Sequence, residues 1–420
     1  MRSPTSALLD SLPQVGAPAH PGFLRRLWRR LPLNVRLQLF FRLTRLIAPL
    51  PDRTARGGFP LAIAGLFSAA SGVGEGARLA YAALDAAGYA PAAFDLSDAF
   101  GQAEFSAPVL RRPLSPGAGS LIVHHNGPYM PHALWALGDS LIRGRRIIGY
   151  WAWELPKLPK DWQPTFRYVH EIWVPSTFTR DAIAAATDLP VHVVPHPLPK
   201  SPVTPNMRGK LGLPQNALVV LNVFHLSSVF SRKNPLAAVA AFRRAFGDAP
   251  GRVLAIKLID NGAHPARQEI DAAIAGAANI RLIEGMLPEA DMAGLMAAAD
   301  IVISLHRSEG FGLVAAQAMA MAKPVVATGW SGNLDFMNER NSALVSYSLV
   351  PVRDPEYIFD NDDQQWAEAD VEHAADWLRR LAASADLRAK LGAAAAADVH
   401  ALLSPERFAR KVSELIVRNT

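Results

Sequence analysis

Apolar residues fall along this chain in two alternating rhythms. Short, nearly continuous apolar runs bounded by Gly, Pro or polar clusters read as buried strands. Longer stretches with apolar positions three or four apart read as helices. Between 59 and 200 the pattern predicts strands at 61–67, 120–124, 146–150, 171–174 and 191–194, with helices at 76–88 and 177–186. Several prolines between 195 and 214 mark a linker. The rhythm then resumes, with strands at 217–223, 253–259, 280–283, 301–303 and 325–327 and helices at 235–246, 266–275, 290–299, 313–321, 371–383 and 386–403. Such alternation predicts an α/β chain with parallel strands. It divides into one unit over 59–200 and a second over 213–400, with 401–420 a C-terminal helix that packs back.

Residues 1–58 stand apart. The stretch 1–22 is rich in Pro, Ala, Ser and Gly and is expected to be poorly ordered. Over 23–50, Leu24, Leu27, Trp28, Leu31, Val35, Leu39, Leu43, Leu46 and Ile47 recur at three- and four-residue spacing, with seven arginines mainly between them. That is the pattern of amphipathic helices, broken near Pro32. The extension holds ten Arg against two Asp, so it carries +8 of a chain whose net charge is +6, and the remainder carries −2. A basic, amphipathic extension suits an anionic membrane surface, or else a brace against the first unit. No nucleic-acid motif accompanies it.

A chain of 420 residues exceeds what one core usually serves. Cysteine is absent, which excludes disulfides and Cys-metal sites. No apolar run approaches the roughly 18 residues of a membrane span, and the start of the chain lacks a signal-peptide core. The expected location is cytoplasmic, at most peripheral on the inner membrane face. Asp360-Asn361-Asp362 has an acid-x-acid form but lies in a late polar loop and reads as solvated, so no metal site is expected.

The chemistry concentrates at loops after strands. Behind the strand at 301–303, Ser308-Glu309-Gly310-Phe311-Gly312 leads into a helix opened by Leu313. A Gly-rich turn at a helix N-terminus presents free amides and the positive end of the dipole to an anion. Glu309 is then placed to hydrogen-bond a neutral group attached to that anion, such as a sugar. Arg232 and Lys233, just before the helix at 235, suit a diphosphate. Ser71-Gly72-Val73-Gly74-Glu75-Gly76 is a second Gly-rich turn that lets backbone approach a phosphate. It is not GxGxxG, and Asp95 is the nearest acid for a ribose, so a nicotinamide-dependent oxidoreductase is the weaker reading. His124 and His125 end a strand, and register decides which faces the cleft. Trp151-Ala152-Trp153-Glu154 places aromatic rings beside a carboxylate, which suits a sugar acceptor at Trp153 and Glu154 or else a core.

The segment around Glu309 resembles the C-terminal signature of the family 4 retaining glycosyltransferases: a Glu, seven residues, then a second Glu, with GFG just after the first. Here the second position is Gln317. The WAWELP run at 151–156, the IWVPSTFTRD run at 172–181 and Trp366-Ala367-Glu368 look like the branch that builds bacterial surface polysaccharides. The resemblance implies a GT-B fold, with two Rossmann-like domains facing a central cleft and, here, an N-terminal helical extension. It implies that Glu309 contacts the donor sugar and Gln317 the ribose, and that Arg232 and Lys233 stabilise the departing nucleotide. The loops with Gly72 and Gly74, and with Ser308, Gly310, Phe311, Gly312 and Leu313, would surround the donor, and one of His124 and His125 would touch its sugar. The implied reaction is retaining, metal-independent transfer from a nucleotide-sugar, which is a substrate and not a cofactor, to a glycan or lipid-linked acceptor. The alternative is a nucleotide-sugar-binding or scaffold protein weakened at Gln317.

Overall fold

In a computed structural model, residues 33–107, 117–226, 228–260, 264–356, 359 and 363–418 are described. Residues 1–32, and with them most of the basic extension, lie outside them, as does Asp360-Asn361-Asp362.

The first described element is helix α1 (Leu33–Ile47), which begins directly after Pro32. The first sheet follows: β1 (Leu61–Gly65), helix α2 (Gly72–Ala86), β2 (Ala92–Asp95), β3 (Ser120–His124), helix α3 (Met130–Leu137), β4 (Arg146–Tyr150), β5 (Glu171–Val174), helix α4 (Thr177–Ala184) and β6 (Val191–Val193). All its strands are parallel, in the order β2-β1-β3-β4-β5-β6. The second sheet comprises β7 (Leu218–His225), helix α5 (Pro235–Phe246), β8 (Arg252–Ile259), helix α6 (Arg267–Ile274), β9 (Ile280–Ile283), helix α7 (Glu289–Ala298), β10 (Ile301–Ser304), helix α8 (Leu313–Ala320), β11 (Val325–Thr328) and β12 (Ala343–Val345). Its order, β12-β11-β10-β7-β8-β9, is again all parallel and is that of a Rossmann sheet. An antiparallel pair, β13 (Tyr347–Pro351) and β14 (Gln365–Ala369), precedes helices α9 (Val371–Ala383), α10 (Ala385–Leu402) and α11 (Pro405–Val417).

The strands are apolar on both faces because helices cover both. In β3, Leu121 and Val123 join the cluster containing Phe40 of α1 and Leu134 of α3. Ile122 joins Ala80 and Leu84 of α2 together with Phe408, Val412, Leu415 and Ile416 of α11. The chain's last helix therefore crosses back from the second unit to complete the core of the first. Each large apolar side chain buried this way stabilises the crossing by about 1.5–3 kcal/mol.

Several elements differ from the sequence expectation. The helix expected at 76–88 starts at Gly72, because the Ser71 hydroxyl accepts from the Gly74 amide at 3.1 Å and caps the chain there. Strand β2 was not anticipated; it is four residues long, too short to show a period. The 3₁₀ segment Lys160–Tyr168 contains Pro164 and gives no helical rhythm. Trp366-Ala367-Glu368 lies in a strand of the β13–β14 pair.

In parallel α/β sheets ligands bind beyond the carboxyl ends of the strands, where the strand order reverses. Here those places are the β1/β3 boundary in the first sheet and the β7/β10 boundary in the second.

Candidate active site

The β7/β10 boundary collects the charged residues. After β7 the backbone makes a single helical turn, Phe230–Lys233, ended by Asn234 in the left-handed region at φ +49°, and Pro235 then starts α5. Glu356 caps this turn by accepting from the Phe230 amide at 3.0 Å. Val229, just before it, has φ +59°, a strained value for a β-branched residue. The turn aims Arg232 and Lys233 at the loop following β10. Lys233 Nζ lies 2.5 Å from Glu309 Oε1, and Arg232 Nη1 lies 3.3 Å from Glu309 Oε2. Arg232 is 6% exposed and also donates to the carbonyls of Ser308 (2.9 Å) and Ser228 (3.1 Å).

Burial would raise the Glu309 carboxyl, but the charges of Lys233 and then Arg232 outweigh it and hold the group down at about 2. Burial pulls the Lys233 ammonium below its ordinary value, against the attraction of Glu309. The Glu309 carboxylate is thus ionised across the ordinary pH range and clamped between two cations.

The loop itself is fixed by neighbours. The Glu309 amide donates to Ser331 Oγ at 2.8 Å, and its carbonyl accepts from the Gly332 amide at 2.9 Å. Gly312 has φ +95° and forms the N-cap of α8, a conformation that a side chain would strain. The amides opening α8 follow directly, with Leu313 at the first helical position. Gln317 is half-buried one turn further on.

The first unit closes the site from the other side. Ser308 Oγ donates to the Glu154 carbonyl, Ser176 Oγ donates to the Gly310 carbonyl at 2.6 Å, and the Asp335 carboxylate accepts from the Thr177 amide at 2.7 Å and from the Thr177 hydroxyl. Glu154 Oε1 stands 3.9 Å from Arg232 Nη2. Burial raises the Glu154 carboxyl, with Arg232 opposing and Glu309 reinforcing the rise. Glu154 therefore belongs to the same charge cluster as Arg232, Lys233 and Glu309.

Other predicted residues are placed differently. Trp153 is buried against Trp162 and Phe359, and its ring N–H donates to the Lys157 carbonyl at 2.9 Å. It is a core residue, with no open face on which a sugar could stack, which corrects the acceptor expectation for this ring. His124 and His125 point to opposite faces of the sheet. His124 stacks on Tyr150 at 4.3 Å, Tyr150 meets His196, and His196 meets Phe311 at 5.1 Å, so this row reaches the Glu309 loop. His125 packs among Phe100, Tyr129 and His132, and its Nδ1 accepts from the Asn126 amide at 3.0 Å. Burial pushes both imidazoles down to about 3, so both are neutral. Of the two, His124 is the one whose row of rings leads to Phe311.

At the second Gly-rich turn, a Cβ on Gly74 would stand 2.4 Å from the Leu66 carbonyl oxygen, whereas one on Gly72 would meet nothing within 4 Å. Gly74 thus serves the fold, and Gly72 is free to serve a ligand. Asp95 accepts from the hydroxyls of Ser68 (2.5 Å) and Ser97 (2.6 Å), which tie it to the loops leaving β1 and β2.

The sequence reading missed the support behind Glu309. His306 is buried beside it, with Nε2 3.1 Å from Asn333 Oδ1, and Asn333 in turn donates to the Thr328 carbonyl. Ser331 and Asn333 lie in the segment 329–335, whose run of small and polar residues after a strand was the available signal. Lys257, inside the apolar stretch of β8, is 2% exposed and donates to the Gly285 and Leu258 carbonyls. Its burial lowers it to about 8.

A family model described as family 4 glycosyltransferase in conflict systems matches residues 181–401, just over half of the sequence. The chain belongs to the family 4 glycosyltransferases. This family 4 chain is 31% identical over 185 residues to a D-inositol 3-phosphate glycosyltransferase of Corynebacterium urealyticum, covering 41% of the chain and 42% of the relative. It is 29% identical over 248 residues to one of Acidothermus cellulolyticus, covering 56% and 53%. The matches span about half the length of these curated relatives. Among solved structures, the fold is similar to Anabaena HepE in complex with UDP-glucose, with a TM-score of 0.62 at 15% identity over 85% of this chain and 99% of that one. A glycosyltransferase of Rickettsia africae gives a TM-score of 0.57 at 14% identity over 86% and 99%. The two parallel six-stranded sheets of this family 4 chain form a GT-B fold.

Proposed function

We propose that the chain transfers a glycosyl group from a nucleotide-sugar to a hydroxyl of a glycan or lipid-linked acceptor, with retention of configuration, as a step in surface polysaccharide synthesis. The observation that carries this reading is the convergence of Arg232, Lys233 and Glu309 at the carboxyl ends of β7 and β10, next to the N-terminus of α8. The donor diphosphate would sit between the two cations and the first amides of α8. As the sugar–phosphate bond breaks, charge grows on the leaving diphosphate, and preorganised cations and amides stabilise that charge more than the ground state. These groups supply the neutralisation a divalent metal ion would otherwise give. Glu309, ionised and fixed by Ser331, is positioned to accept hydrogen bonds from the hydroxyls of the transferred sugar. Gly72 and the amides opening α2 would approach the donor from the first unit, with His124 behind them, and Gln317 would bond the ribose. Glu154, 3.9 Å from Arg232, would accept a hydrogen bond from the acceptor hydroxyl. Retention is supported by the family resemblance. Attack by the acceptor on the leaving-group face needs no enzyme nucleophile.

A second reading, a nucleotide-sugar-binding protein with weak turnover, rests on Gln317 in place of a carboxylate. A thermal-shift screen with nucleoside diphosphates and their sugar conjugates, followed by a donor-hydrolysis assay, tests both. Ligand at 100 times its Kd should stabilise the protein by about 2.7 kcal/mol. Release of free sugar supports transfer. Stabilisation with no hydrolysis and no transfer to any acceptor supports the second reading, and no stabilisation by any nucleotide overturns both.

A further inference from the structure

Helix α1 has two apolar faces, and the first unit uses one of them. Phe40, Thr44 and Ala48 are buried on the side of α3. The helix and the segment after it are bound to the body by hydrogen bonds. The Tyr168 hydroxyl donates to the Arg45 carbonyl at 2.7 Å, His170 pairs with the Asp52 carbonyl at 2.8 Å, and Arg53 donates to the carbonyls of Arg167 (2.7 Å) and Val169 (2.8 Å). An adjoining face carries Leu39, Leu43 and Leu46, exposed by 36%, 54% and 81%, with Ile47 (56%) on its edge beside Phe40 and Leu50 (56%) continuing it. With successive residues about 100° apart, Arg36 and Arg42 lie roughly 60° to either side of the line through Leu39. A firmly attached helix therefore presents an aliphatic stripe to the outside, bordered by the exposed Arg42 on one side and the half-buried Arg36 on the other.

We propose that this stripe docks the protein on an anionic lipid surface. The leucines would enter the boundary between headgroups and acyl chains, and the arginines would meet lipid phosphates. Charge selects this occupant over the others. A second copy packed stripe to stripe would bring Arg36 and Arg42 close to their own equivalents. The chain's own segment 1–32 carries Arg2, Arg25, Arg26, Arg29 and Arg30 against Asp10 alone, the same sign as the stripe's borders. The extension to residue 58 holds +8 while the rest of the chain holds −2, so attraction to an anionic surface orients the molecule with this end inward. Docking here is independent of the chemistry assigned to the cleft.

The test is co-sedimentation of the full chain with vesicles of phosphatidylcholine alone or mixed with phosphatidylglycerol, beside the double variant Leu43→Glu/Leu46→Glu. Both positions are exposed, so the variant should keep the wild-type thermal midpoint. Wild type should bind the anionic vesicles at low salt and lose them near about 1 M salt, where the screening length is about 3 Å. The double variant should bind at least about tenfold more weakly. Wild-type binding that is absent, or equal on neutral vesicles, overturns the proposal. A double variant that binds as tightly as wild type assigns the affinity to residues 1–32 and also overturns it. A wild-type dimer in gel filtration that the double variant dissociates, without vesicle binding, gives the stripe to a second copy instead.

Discussion

Lys233 Nζ lies 2.5 Å from Glu309 Oε1 although 76 residues separate the two in sequence. The pair forms because β7 and β10 are neighbours at the centre of the second sheet, with Ile301 beside Val220, so the loops leaving both strands meet. Arg232 joins the pair, its Nη1 lying 3.3 Å from Glu309 Oε2, so one carboxylate holds both cations together.

Lys233→Ala should lower turnover by about two to three orders of magnitude through lost charge stabilisation in the transition state. Arg232→Ala should do the same and also destabilise the fold by about 3 kcal/mol, because it leaves Glu309, Glu154 and the carbonyls of Ser308 and Ser228 short of a partner. Steady-state kinetics with urea denaturation of both variants checks the contrast. A Lys233→Ala enzyme with wild-type kcat and KM removes the cation pair from the mechanism.

Glu309→Gln should impair transfer while nucleoside diphosphate still binds. The carboxyl is held at about 2, against an ordinary 4.5. A depressed carboxyl contributes stability that is complete above about pH 4.5 and disappears as pH falls through 2. At about 1.4 kcal/mol per pH unit the contribution is about 3 kcal/mol. The stability gap between wild type and Glu309→Gln should therefore shrink from pH 5 toward pH 2. A gap that stays constant in urea titrations across that window shows that the pair does not set the carboxyl's affinity for protons.

Gly72→Ala and Gly74→Ala should separate donor binding from folding. The Cβ of Gly74→Ala collides with two backbone carbonyls, Leu66 at 2.4 Å and Ala69 at 2.7 Å, and should cost about 2 kcal/mol or more. Gly72→Ala meets no protein atom and should fold normally, yet weaken donor binding if a phosphate approaches that turn. Calorimetric titration with the nucleoside diphosphate and its sugar conjugate on the Gly72→Ala protein decides the second half.

Gln317→Glu should tighten donor binding by about 1–2 kcal/mol, because a charged acceptor bonds ribose hydroxyls more strongly than an amide. The check is the donor Kd, compared with that of a 2′-deoxyribose analogue. An unchanged Kd places Gln317 away from the ribose.

The pattern of apolar runs located both sheets and all their strands except the short β2 and β12, and it missed the β13–β14 pair, because only strands buried on both faces must be continuously apolar, with Gly and Pro in their bounding turns. The loops at 231–235 and 308–313 were legible for a local reason too: a Gly-rich turn before a helix declares its free amides, and two adjacent cations declare an anion. The tertiary structure decided what depends on distance in space. Only strand order could bring Arg232 to Glu309, only register could set His124 in the row that leads to Phe311 and His125 among Phe100, Tyr129 and His132, and only packing could bury Trp153. The sequence of α1 allowed a brace or a membrane helix; the fold shows one face braced and the other left exposed, because a helix 10 Å or so across can bury only the side it turns toward its neighbour.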